Sequence, residues 1–161
     1  VGLLDRSINN ALNKVTVPTV DSVVDDIGRI FAAVPYDKYV ALVIVRKALG
    51  YVRTGMAPAW GKVLDTIPIA ARLYALETMY DSNPCDVAML IGHMNKVSER
   101  HIDFLLDHAD AESMCELLPL VYKKTRRGRY YRDKLAKVDV TGNNKLRFAI
   151  MDCLDEIDTL E

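Results

Sequence analysis

Apolar residues recur at steps of three and four along almost the whole chain. In TVDSVVDDIGRIFAAV, residues 19–34, they fall at Val20, Val23, Val24, Ile27, Ile30, Phe31 and Val34, which makes one stripe down a helix. Thr19 is placed to cap this helix, Asp21 suits its first turn, and Pro18 and Pro35 bound it. In PYDKYVALVIVRKALGYVRTG the run 40–45 is apolar with no polar side. It reads as a helix buried on most sides, near the centre of the fold, because no other segment offers a partner strand for it. Gly55 is a natural stop for it.

The following stretch holds Pro58 and Pro68, which predicts a short helix, a break near residues 65–67 and a longer helix from Pro68 to about Tyr80. Asn83 and Pro84 signal another helix start, Ser98 caps ERHIDFLLDHA, and Asp110 caps AESMCELLPLVYKK, where Pro119 predicts a kink. Residues 129–137 read as a helix restarting after Gly128, with Tyr131 and Leu135 turned inward and Arg129, Arg132 and Lys137 on the other side. VDVTGNN is a loop, and the last segment buries Leu146, Ile150, Cys153, Leu154 and Ile157. The expectation is an all-α, compact single-domain multi-helical bundle of about eight or nine helices over residues 1–161. No repeat of solenoid period and no Pro/Ser/Gly-rich linker divides it.

Composition adds little to that picture. The chain has 161 residues, half apolar and 27% charged, an ordinary globular balance. No run of eighteen apolar residues occurs and residues 1–15 lack the features of a signal peptide, so neither a membrane partner nor secretion is expected. Cys85, Cys115 and Cys153 are distant and odd in number, which reads as buried free thiols in a reducing, cytoplasmic setting or inside a virus particle.

The candidate chemistry is sparse. His93, His101 and His108 lie between Cys85 and Cys115 at intervals of seven or eight residues, with none of the short pairs zinc sites use. They read as surface or boundary histidines, and no metal or cofactor is expected. Glu99, Asp103 and Asp107 line one helix face at i, i+4, i+8, the pattern of a solvated carboxylate stripe. Neither a phosphate loop nor a nucleophile motif occurs, so the reading is non-enzymatic.

Charge changes the picture at one place. KKTRRGRYYRDKLAK, residues 123–137, carries +7 in a chain whose total is −1. Lys123, Lys124, Arg126, Arg127, Arg129, Arg132, Lys134 and Lys137 are interleaved with Tyr130 and Tyr131. Clustered cations displace counterions from phosphates, and tyrosine can stack an unpaired base, so the segment reads as a nucleic-acid contact. An alternative partner is an acidic protein surface. The last helix, within the acidic amphipathic segment 143–161, carries Asp152, Asp155, Glu156, Asp158 and Glu161, with Lys145 and Arg147 at its start, an order that opposes the helix dipole. It would gain from the basic segment of its own chain or of another copy, the latter giving a head-to-tail assembly. In residues 1–16, Leu4, Ile8, Leu12 and Val15 form a narrow apolar seam suited to docking, on the chain's own core or on a partner.

HMNKVSERHIDFLL followed by RRGRYYRDKLAK is similar in character to the small subunit of phage sliding-clamp loaders. The similarity covers a fraction of the chain, with an insertion between its two parts. It implies a replication- or virion-associated, nucleic-acid-handling role as an expectation.

Overall fold

The computed structural model describes residues 3–16, 18–108, 115 and 127–160. The protein is all-helical, and no strand occurs among the described residues. Nine helices are described there: α1 Leu3–Leu12, α2 Val20–Ala33, α3 Lys38–Leu49, α4 Ala57–Asp65, α5 Ile69–Tyr80, α6 Pro84–His93, α7 Glu99–His108, α8 Gly128–Ala136 and α9 Asn144–Leu160. The helix expected after Asp110, with its kink at Pro119, lies outside the described residues apart from Cys115.

The contacts group the chain into two compact units, residues 1–95 and 96–161. No compositional mark accompanies the division.

In the first unit the apolar run of α3 is indeed a helix, and it touches α1, α4, α5 and α6. Ala41, Ile44, Val45 and Ala48 are fully enclosed. The cap that starts α3 is Asp37, whose carboxylate accepts from the N–H groups of Tyr39 and Val40, both at 3.0 Å. Sequence reading missed this cap and also placed the stop too late, since α3 ends at Leu49, before Gly50. Thr19 precedes α2 without a side-chain cap; its hydroxyl is instead engaged with Thr16 and the Lys14 carbonyl.

Two close fits lock the first unit. Trp60 on α4 is buried and stacks on Tyr51, with ring centroids 5.3 Å apart. Arg72 on α5 is also buried, and its guanidinium donates to the carbonyls of Asp65 and Ile67 at 3.0 and 2.8 Å, closing the end of α4. Burial lowers the Arg72 pKa, opposed by the Asp65 carboxylate. The α1 seam belongs to this unit too. Ile8 and Leu12 are buried where α1 meets α2 and α3, rather than open to a partner, and the side chain of Leu4 lies outside the described residues.

In the second unit the fold is built from α7, α8 and α9 among the described residues. The loop before α9 turns at Gly142, whose φ of +73° is the left-handed conformation glycine tolerates. Asp139 accepts from the Thr141 N–H at 2.9 Å, and Asn143 accepts from the Leu146 N–H at 2.9 Å, so both ends of the turn are tied. The α9 stripe of Leu146, Ile150, Cys153 and Ile157 is buried, with Leu154 only half so.

Candidate nucleic-acid interface

The basic segment is best read from the helix beneath it. At the start of α7, the Ser98 N–H donates to Nδ1 of His101 at 3.1 Å, and the Ser98 hydroxyl lies 3.0 Å from the same atom. His101 thus reaches back to the cap residue as Glu or Gln does in a capping box. Accepting that N–H leaves Nδ1 without its proton, so the neutral ring carries it on Nε2. His101 is fully buried, not the surface or boundary residue its spacing suggested.

This start fixes Glu99 and Asp103 one turn apart, facing α8. Tyr131 is the anchor of α8. It is fully buried, and its hydroxyl donates to the Glu99 carbonyl at 3.3 Å. Burial pushes the Tyr131 phenol well above its ordinary pKa, and the carboxylates of Asp103 and Glu99 add to this. Leu135, one turn on, is buried as well, so the inward assignment of both residues matches the geometry.

Around this anchor the basic side chains meet carboxylates. Arg127 pairs with Glu99, and Arg132 with Asp158 on α9. Lys134 donates to Asp103 Oδ1 at 3.1 Å, and the Tyr130 hydroxyl donates to the same oxygen at 3.1 Å. The Lys134 pKa is raised, first by its hydrogen bond with Tyr130 and then by Asp103, against the cost of burial. The Tyr130 ring lies between two cations, 4.9 Å from the Arg127 guanidinium and 5.0 Å from the Lys134 ammonium. It also meets Tyr131 edge-on, with centroids 4.9 Å apart.

Of the α7 carboxylate stripe, Glu99 and Asp103 are therefore not a free solvated face but the cradle of α8, and their i, i+4 spacing was the available signal; Asp107 stands exposed. From the last helix the structure uses Asp158; Asp152 and Asp155 stand exposed, and Glu156 is half-buried. Arg129 and Lys137 are exposed and make no ion pair among the described residues, with exposed Asp133 between them on the outer ridge. Lys123, Lys124 and Arg126 lie outside the described residues.

Elsewhere, no group of three or more potential metal ligands comes together among the described residues, and no described helix is long and apolar enough to cross a membrane. Cys85 is exposed, contrary to its expected burial, whereas Cys115 and Cys153 are buried thiols of the second unit. In the first unit Tyr36 and Tyr39 are almost fully exposed, and Lys38 between them lies 4.8 Å over the Tyr74 ring. No known family, characterised protein or solved structure matches the chain.

Proposed function

We propose that the protein is a non-enzymatic helical protein that binds the phosphate backbone of a nucleic acid along the outer edge of α8. The observation that carries this reading is the state of the α8 cations. Arg129 and Lys137 are exposed without an ion-pair partner among the described residues, about 12 Å apart along the helix. Beside them, Arg127, Arg132 and Lys134 meet carboxylates in ion pairs partly open to water, each worth ~0–1 kcal/mol. A polyanion can displace such carboxylates at little cost, because charged contacts to phosphate also release counterions. Lys123, Lys124 and Arg126 extend the same charge in sequence. With Tyr131 buried and the Tyr130 hydroxyl donated to Asp103, the reading rests on phosphate contacts rather than base stacking. A virion- or replication-associated role fits such a protein.

The test is a titration of fluorescent single-stranded and duplex oligonucleotides at two salt concentrations. Wild type binds, and salt weakens the binding. Arg129→Ala with Lys137→Ala lowers affinity and reduces the salt slope by about 1.4–1.8, two phosphate contacts' worth. Removing the competing acids with Glu99→Gln, Asp103→Asn and Asp158→Asn tightens binding. Unchanged affinity in both variants sinks the reading.

A second reading, in which the basic segment meets an acidic protein surface of its own chain, is favoured by a specific observation. Three of the five described cations of residues 127–137 already meet carboxylates of their own unit. In that reading the segment stitches α7, α8 and α9 together. Oligonucleotides then do not bind, and the Asp158→Asn variant loses stability instead.

A further inference from the structure

The first unit carries a cationic face that the α8 reading leaves untouched. The α3 sequence, KYVALVIVRKAL, holds Lys38, Arg46 and Lys47 and no acid. Asp37, just before it, turns its carboxylate onto the helix start, accepting from the Tyr39 and Val40 N–H groups. None of the three cations makes an ion pair among the described residues, and exposed Glu77 of the adjoining α5 pairs with none of them. Lys47 donates instead to the neutral side-chain amide of Asn13, just past α1, at 2.6 Å, which leaves its charge unmatched. Exposed Lys14 follows Asn13 and adds a further cation to that flank.

At 100° per residue, Tyr39 and Arg46 lie within about 20° of each other and two turns, about 10 Å, apart. They stand opposite the enclosed Ala41, Ile44 and Ala48. Tyr36, in the turn before α3, and Tyr39 are 78% and 79% exposed, more than any other large apolar side chain described. Rings so exposed do nothing for the core. One ridge therefore sets two open rings beside cations that no carboxylate answers. A protein partner leaves part of this unmatched: an apolar surface buries the charges without partners, and an acidic one gives the rings nothing to stack on. Single-stranded nucleic acid answers both, because every base has a face to stack and every phosphate a charge to pair. A duplex does not, since its base faces are already stacked on one another. The same chemistry is closed to α8, where Tyr131 is buried and the Tyr130 hydroxyl is held by Asp103.

We propose that the exposed ridge of α3 is a binding site for single-stranded nucleic acid, with bases stacked on Tyr36 and Tyr39 and phosphates held by Arg46 and Lys47. The occupant is chosen by charge complementarity together with the open rings. Lys38 bounds the site on the α5 side, where it lies 4.8 Å over the Tyr74 ring, and Lys47 bounds it on the α1 side. Tyrosine suits such a platform, because its side chain has few torsions to freeze on binding. The contacts read no base edge, so the site takes single strands of any sequence. It shares no residue with the α8 edge, and either site can fail while the other stands.

The test is fluorescence anisotropy on the full chain with labelled single strands of DNA and of RNA, a DNA duplex, and an abasic DNA strand that keeps the phosphates and lacks the bases. Wild type binds the base-bearing single strands more tightly than the duplex or the abasic strand. Tyr36→Ala with Tyr39→Ala lowers single-strand affinity by roughly 5- to 150-fold for each base that loses its ring. The same variant binds the abasic strand as wild type does, which also shows that it is folded. Tyr36→Phe with Tyr39→Phe keeps both rings and keeps the affinity. Arg46→Ala with Lys47→Ala weakens binding to every strand and reduces the single-strand salt slope by about 1.4. The Arg129→Ala, Lys137→Ala variant still prefers strands that carry bases, which separates this site from the α8 edge. Equal affinity for base-bearing and abasic strands, an unchanged tyrosine-to-alanine variant, or loss of the preference in the Arg129→Ala, Lys137→Ala variant overturns the proposal. So does poly-glutamate displacing the strand as well as unlabelled single strand does, which points to an acidic protein instead.

Discussion

Replacing Gly61 with alanine is the sharpest test of how the first unit is packed. Gly61 lies on α4, buried where α4 meets α6. A Cβ at this position would stand 2.1 Å from the His93 carbonyl oxygen and 2.7 Å from its carbon, whereas ordinary contact begins at 3.4 Å. The obstruction is backbone, not the end of a flexible side chain. The two helices would have to separate locally by about 1.3 Å, through a core of fully buried Val63, Leu64, Leu90 and Ile91. Overpacking of well-filled cores costs ~1–3 kcal/mol. A clash with a backbone carbonyl lies at or above the top of that range, even after the ~1 kcal/mol that alanine gains over glycine within a helix. Urea unfolding at 25 °C should therefore show Gly61→Ala losing about 3 kcal/mol. The control is Gly28→Ala on α2, whose Cβ would meet only the Thr66 methyl at an ordinary 3.6 Å. That variant keeps or raises stability by up to ~1 kcal/mol. Equal midpoints for the two variants would refute the close α4–α6 approach.

Three further outcomes follow from the second unit. Tyr131→Phe removes the hydroxyl that donates to the Glu99 carbonyl and should cost ~0.5–1.5 kcal/mol, against ~3–5 kcal/mol for Tyr131→Ala; a neutral alanine variant would mean α8 is not anchored there. A double-mutant cycle between Asp103→Asn and Lys134→Met should return a coupling of ~0.2–1 kcal/mol that shrinks in high salt, and zero coupling in low salt would contradict the shared carboxylate. Burial raises the Cys115 thiol to about 11 and that of Cys153 to about 12, from an ordinary 9.0. Unfolded thiols ionise first, so stability is intact below pH ~9 and falls as pH rises through the folded values, by up to ~1.4 kcal/mol per pH unit for each thiol. Urea midpoints measured across that window should drop, and Cys153→Ala should flatten the fall.

The helices were legible because their stripes are long and periodic. Val20 to Phe31 and Leu146 to Ile157 need nothing beyond a step of three or four residues to be found. Even the apolar run of α3 yielded to the absence of a partner strand. What sequence could not supply was the pairing of distant polar groups. The net charge of residues 123–137 stands out at once, but charge counting cannot reveal that Glu99 and Asp103 lie beneath it, nearly thirty residues earlier. A carboxylate stripe at i, i+4 looks the same whether water or another helix faces it. His101 was misplaced for a related reason, since an imidazole acting as the returning half of a capping box has no pattern that separates it from a surface histidine. Caps were the other weakness. Thr19 and Asp37 both precede a helix, yet only Asp37 caps one, because Thr19 is held by the turn before it.

The ion pairs of Arg127, Arg132 and Lys134 reach in both directions along the chain, back to Glu99 and Asp103 and forward to Asp158. Such contacts close loops of nearly thirty residues, so they form late and only together with the packing of Tyr131. During synthesis α8 is complete before Asp158 has been added. For that interval Arg132 has no carboxylate from α9, and residues 1–137 carry a net positive charge that the acids of residues 138–161 then outweigh. The chain's attraction to surrounding polyanions is then at its greatest, and completing α9 is the step that tempers it.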